Sequence, residues 1–163
     1  MSKLYQSLPL ACPYNRAREL LAETLEPFVR SGEPWVLNLR APVLGDGLDL
    51  GKDVVVTVGT ATDPLHFDQI WSLNWHPTEG GAYPVFAGTI SIRADQTYKT
   101  SLLELQGSYE PPFGAVGAAF DAVLGTRVAS ATARELLRAF GEKIESAYSE
   151  SERAKKLQRE AIQ

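Results

Sequence analysis

One cysteine, one methionine and two histidines are all that this chain of 163 residues offers to thiol, thioether or imidazole chemistry. Cys12 has no partner for an internal disulfide, and a thiolate zinc site needs several such ligands. Thiol reactivity requires an electropositive setting, so Cys12 is read as a bystander. His66 and His76 have Asp63, Asp68 and Glu79 nearby, yet the spacing matches neither His-Glu-x-x-His nor a paired-histidine helix. Surface or loop histidines are expected, with no metal and no cofactor. No stretch of about 18 apolar residues occurs, and Met1 to Leu10 carries one lysine and no apolar run of leader length. A cytoplasmic chain without a membrane span is expected.

Charge of one sign is also missing. With 16 basic and 20 acidic side chains spread along the sequence, a net charge of −4 provides no field to gather phosphates, and nucleic acid is not an expected partner. Catalytic signatures are absent too. There is no Gly-x-Ser-x-Gly elbow, neither histidine has a recognisable partner for activating a nucleophile, and the glycines from Gly107 to Gly117 lack the Lys-Ser/Thr ending of a phosphate loop. Pro111 and Pro112 instead predict a rigid corner, with Gly114 and Gly117 allowing an incoming helix to pack closely.

What the sequence has is alternating periodicity. A hydrophobic fraction of 44% over this length suits one core and one domain. Lys3 to Leu10 reads as a short strand with Pro9 near its end. From Tyr14 to Val29 the period becomes helical, with Ala17, Leu20, Leu21, Leu25, Phe28 and Val29 on one stripe, Gly32 after the end and a break expected near Pro27. β-rich runs follow. Trp35 to Arg40 and Val54 to Val58 are separated by a turn at Gly45-Asp-Gly. In Ile70 to His76, Trp71, Leu73 and Trp75 share one face. Val85 to Ile92 places Phe86, Gly88, Ile90 and Ile92 on one side. Thr100 to Tyr109 turns Leu103, Leu105, Gly107 and Tyr109 inward, after a hairpin within Arg93 to Lys99. Short connections favour an antiparallel sheet.

From about Gly114 to Tyr148 the pattern is helical again. Val116, Phe120, Val123 and Leu124 form one stripe; Ala129, Ala133, Leu136, Leu137, Phe140 and Ile144 form another. The stripes are out of phase across Gly125-Thr126, which leaves two helices with Thr126 as a cap, or one long helix with a local bend; the Ala-rich stretch favours the second. Residues 149–163 read as a charged extension, either a solvated helix or a frayed end, beyond a domain of residues 1–148.

The order strand, helix, antiparallel strands and long terminal helix resembles the helix-grip arrangement of the START and Bet v 1-like superfamily, polyketide cyclase-like proteins included. More local likeness lies in Leu105-Gln-Gly-Ser-Tyr-Glu-Pro-Pro-Phe-Gly-Ala-Val-Gly and in Phe120-Asp-Ala-Val-Leu-Gly-Thr-Arg-Val-Ala, which resemble the last strand, corner and helix opening of bacterial members. The resemblance implies an α+β fold in which a curved antiparallel sheet of about six to seven strands wraps a long C-terminal helix, with a shorter helix after the first strand.

It also implies a cavity between sheet and helix. Because the superfamily hosts carriers, receptors, cyclases and hydrolases, the fold does not settle the function. The expected ligand is a small apolar or amphipathic molecule, held by Trp71, Leu73, Trp75, Phe86, Ile90, Leu103, Leu105, Tyr109 and Phe120 and oriented by Asp121 or Arg40. For Asp121 a structural ion pair with Arg127 or Arg134 is the favoured reading over a ligand anchor, and Arg40 has the same two readings. Two further readings stay open: a cyclase- or hydrolase-type enzyme moving a proton in the same cavity, and an interaction domain with a closed core, for which a homodimer is one form.

Overall fold

The computed structural model describes residues 1–44, 48–62, 69–79, 83–110 and 118–163; the side chains within 39–44, 48–52, 62 and 118–124 fall outside that description. The elements run β1 (Ser2–Leu10), α1 (Tyr14–Ser31), β2 (Trp35–Leu44), β3 (Leu48–Thr62), β4 (Gln69–Pro77), β5 (Val85–Ala94), β6 (Ser101–Glu110) and α2 (Ala118–Ile162). The described strands form one antiparallel sheet of six, in the order β1-β6-β5-β4-β3-β2. The expected turn at Gly45-Asp-Gly and the corner from Pro111 to Gly117 lie outside the described residues. Among the described residues no helix is long and apolar enough to cross a membrane.

α1 buries Ala17, Leu20, Leu21 and Leu25, the stripe that its sequence spacing predicts. It ends at Gly32, whose φ of 63° is the left-handed conformation of a helix terminator and whose N–H donates to the Phe28 carbonyl at 3.1 Å. The break expected near Pro27 does not occur, for α1 continues to Ser31. Pro27 lies one turn from the helix end on an exposed face, together with Glu23, the residue whose carbonyl a proline at this position leaves without its helical bond. At the other end of α1 the Tyr14 N–H donates to the Tyr98 carbonyl at 3.3 Å, and Tyr98, in the β5–β6 hairpin, adopts a φ of 57°.

α2 crosses the inner face of the sheet and buries Val128, Ala129, Thr132, Ala133, Leu136, Leu137, Phe140 and Ile144. It is one continuous helix across Gly125-Thr126, so Phe120, Val123 and Leu124 belong to the same element as the second stripe, while Val116 lies outside the described residues. Near its middle it is held by both edges of the sheet. A Cβ on Gly141 would lie 2.6 Å from Leu8 Cδ2 on β1, while the neighbouring Phe140 meets the Trp35 ring of β2 edge to face at 5.1 Å. The Glu145 carboxylate accepts the Ala11 N–H at 2.9 Å and fixes the β1–α1 corner to the helix. Beyond Tyr148 the helix continues to Ile162 with nearly every residue exposed; the charged extension is helical, not frayed.

The β5 and β6 backbones approach closely where Gly88 of β5 pairs with Gly107 of β6. A Cβ on Gly88 would stand 2.2 Å from the Gln106 carbonyl oxygen, and one on Gly107 2.3 Å from that of Ala87. Phe86 fills the space both side chains leave, its Cζ lying over the pair.

Cys12 sits fully buried at the β1–α1 corner, where the Ser101 hydroxyl donates to its carbonyl at 2.9 Å. Burial pushes its thiol pKa up to about 11, opposed by Arg16 and reinforced by Glu145. Because the folded value lies above the ordinary 9.0, the stabilisation from keeping the thiol neutral is complete below that pH and is lost as pH climbs through about 11. At mildly alkaline pH an aromatic disulfide reagent is expected to label the native protein about a hundredfold more slowly than the denatured chain, since two pKa units cut the thiolate fraction by that factor. Equal labelling rates would contradict the burial described.

Candidate binding site

Alternation along β4, β5 and β6 delivers the predicted inner face. Trp71, Leu73, Trp75, Phe86, Ile90, Leu103, Leu105 and Tyr109 are all buried, on a sheet against which α1 packs at β3 and β5 and α2 at β1, β2 and β6. The register lines them up in rows across the strands: Trp71 opposite Ile90 opposite Leu105, and Trp75 opposite Phe86 opposite Tyr109. Of the remaining predicted residues, Arg40 pairs through its backbone with Gly51 and Phe120 and Asp121 belong to the first turns of α2, but their side chains lie outside the description. Arg127 and Arg134 are exposed on α2. His76 is exposed, its Nδ1 3.1 Å from the Pro77 carbonyl, while His66, Asp63 and Asp68 lie outside the described residues.

The row Trp75–Phe86–Tyr109 is the polar end of this face. Trp75 and Phe86 stack with ring centres 4.1 Å apart and planes 15° from parallel. The indole N–H of Trp75 donates to the Pro84 carbonyl at 3.2 Å, which fixes the ring in its plane. Tyr109 reaches the helix, its hydroxyl 2.6 Å from Thr126 Oγ1. Beside it the buried Tyr83 hydroxyl bonds Thr132 Oγ1. Since the Thr132 hydroxyl donates to the Val128 carbonyl at 2.8 Å, Tyr83 is the donor in that pair. Burial holds the Tyr83 phenol above the usual range and therefore neutral.

Sequence reasoning missed Tyr83, Thr126 and Thr132 as members of this site. Tyr83 lies just before β5 and belongs to no periodic run, and Thr132 interrupts an Ala-rich stripe whose buried side was already assigned to packing. For Thr132 a hydroxyl at a buried helix position was the available signal, because such a group needs a partner; Thr126 is exposed and gave no such signal. Among the described residues no group of three His, Cys, Asp or Glu side chains converges to hold a metal.

A concavity lies on the outside of the grip. Trp35 and Leu37 of β2 face Ala139, Lys143, Ser146 and Glu150 of α2 across an open groove of about 570 Å³. Trp35 is its centre: Phe28 stacks on it at 5.0 Å, and the Lys143 ammonium stands 4.5 Å from its ring centre.

No family model matches this chain, and no curated protein does. Among solved structures it is similar to a START superfamily protein from Mycobacterium smegmatis, at 12% identity and a TM-score of 0.45, over 92% of this chain and 99% of that one. It is similar to the Zhui aromatase/cyclase from a Streptomyces species at 15% identity and a TM-score of 0.42, over 88% and 93%. TTHA0849 from Thermus thermophilus gives 14%, 0.46, 89% and 98%. The strand order and the gripped terminal helix decide the fold. It is an α+β helix-grip fold. Likenesses this distant carry nothing about what a helix-grip domain binds, and the functional reading rests on the side chains of this one.

Proposed function

We propose that the chain is a binding module that sequesters a small molecule with an apolar body and at least one polar group, between the row Trp75–Phe86–Tyr109 and α2. The observation that carries this reading is the Tyr109–Thr126 hydroxyl pair at the end of a stacked aromatic wall. Flat aromatic faces bind an apolar body through removed water-accessible area, at roughly 25 cal/mol per Å². A tyrosine hydroxyl already directed at the helix supplies the oriented hydrogen bond that such pockets use for specificity. A ligand oxygen that exchanges with Thr126 for Tyr109 keeps that hydroxyl satisfied and loses little hydrogen-bond energy.

The test is native mass spectrometry of the full chain isolated from its host extract, compared with the same sample denatured. A small molecule present at one per chain and released only on denaturation is the expected result, together with at least a tenfold loss of retention in Tyr109→Phe, since a hydrogen bond of about 1.4 kcal/mol corresponds to that factor. A bare chain mass under native conditions, from extract that has not been stripped, sinks the reading and leaves the inner face as a closed core.

A further inference from the structure

We propose that two copies of this chain associate through their α2 helices, packed antiparallel, so that the projecting end of each helix lies in the groove between β2 and α2 of the other. The first observation is the projection itself. From Ser149 to Ile162 α2 runs about 20 Å further at its 1.5 Å rise, with almost all of its residues exposed, among them Leu157 at 61%.

The second is continuity of face. Ala139, Ser146, Arg153 and Leu157 are separated by seven, seven and four residues, the spacing that keeps side chains on one line of a helix. Ala139 and Ser146 line the groove, and the same line leads directly to the exposed Leu157. The groove and the projecting helix are therefore two ends of one surface, which is what an isologous interface requires.

Charge selects the second copy as occupant. An antiparallel pairing centred between Ser146 and Ala147 sets Lys143 opposite the partner's Glu150 and Ala139 opposite the partner's Ala154. It brings Glu142 within reach of the partner's Arg153, and two-fold symmetry makes each of these pairs twice. Ser146 and Ala147 at the centre are small enough for the two helices to approach closely. Leu157 then comes to the level of Leu136, about one helical turn beyond Ala139. A parallel arrangement would set Lys143 against Lys143 and Glu150 against Glu150, so the pattern also fixes the direction.

Sedimentation equilibrium of the full chain over a broad concentration range tests this. The expected mass is that of two chains of 17.8 kDa each. Leu157→Lys, at a position that touches nothing in its own core, is expected to give the single-chain mass with an unchanged thermal midpoint at low concentration. Lys143→Glu is expected to weaken association about tenfold, the scale of one lost and reversed charge pair, and Lys143→Glu combined with Glu150→Lys to restore it. A single-chain mass for the unaltered protein at every concentration overturns the proposal. So does a dimer indifferent to Leu157→Lys, or a double variant that remains as weak as Lys143→Glu.

Discussion

Gly107→Val is expected to leave the protein without a cooperative thermal transition, whereas Gly59→Ala, in the same sheet, should shift its midpoint only slightly. The difference lies in what the new side chain meets. At Gly107 the obstacles are a carbonyl oxygen at 2.3 Å and the Gly88 Cα at 2.6 Å, both backbone atoms of the paired strand. At Gly59 the single obstacle is Ser72 Oγ at 2.7 Å, the end of a side chain that can rotate away. Overpacking a core with side-chain neighbours costs about 1–3 kcal/mol, and a clash with fixed backbone on two sides exceeds that. Against a total stability of about 5–15 kcal/mol, the β5–β6 pairing does not survive. Circular dichroism melts of both variants check this, and a normal melt for Gly107→Val would mean that β5 and β6 do not approach so closely there.

The second large effect is expected at Phe140. Its truncation to alanine should lower the unfolding free energy by about 3–5 kcal/mol, the usual cost of deleting a fully buried aromatic ring. The ring is completely buried and meets Trp35 edge to face, and Trp35 in turn stacks on Phe28, so one deletion loosens α2, β2 and α1 together. Urea titration reads the loss as a lower midpoint at unchanged slope. A loss below about 1 kcal/mol, the range of a surface substitution, would show that the grip on α2 lies elsewhere.

The inner face of the sheet could be read because its strands alternate strictly. Trp71, Leu73 and Trp75 were expected on one side, and all three are buried. Burial every second residue is a local property of an extended chain and needs no knowledge of the partner strand. Pro27 was misread for the opposite reason: its cost depends on whether the carbonyl one turn back is exposed, a tertiary fact. Thr126 was read as a possible cap because it follows Gly125, but Tyr109 claims its hydroxyl from a strand 17 positions earlier. Tyr83, Thr132 and the groove beside Trp35 depend on the docking angle of α2 in the same way. Periodicity fixes which face of α2 is buried and says nothing of which hydroxyls that burial brings together.

The grip on α2 also bears on the order in which the protein can fold during synthesis. β1 is made first but pairs with β6, and Leu8 and Leu10 then pack against Gly141 of α2, whose distal turns are the last part of this sequence to be translated. β2 to β6 can zip as successive hairpins while the chain emerges, since each pairs with the strand before it. α1 already packs against β3 and β5, but until α2 is out the part of the inner face on β1, β2 and β6 has nothing to cover it. A nascent chain halted before α2 should therefore present this apolar face to chaperones, and release of the last segment should be the event that conceals it.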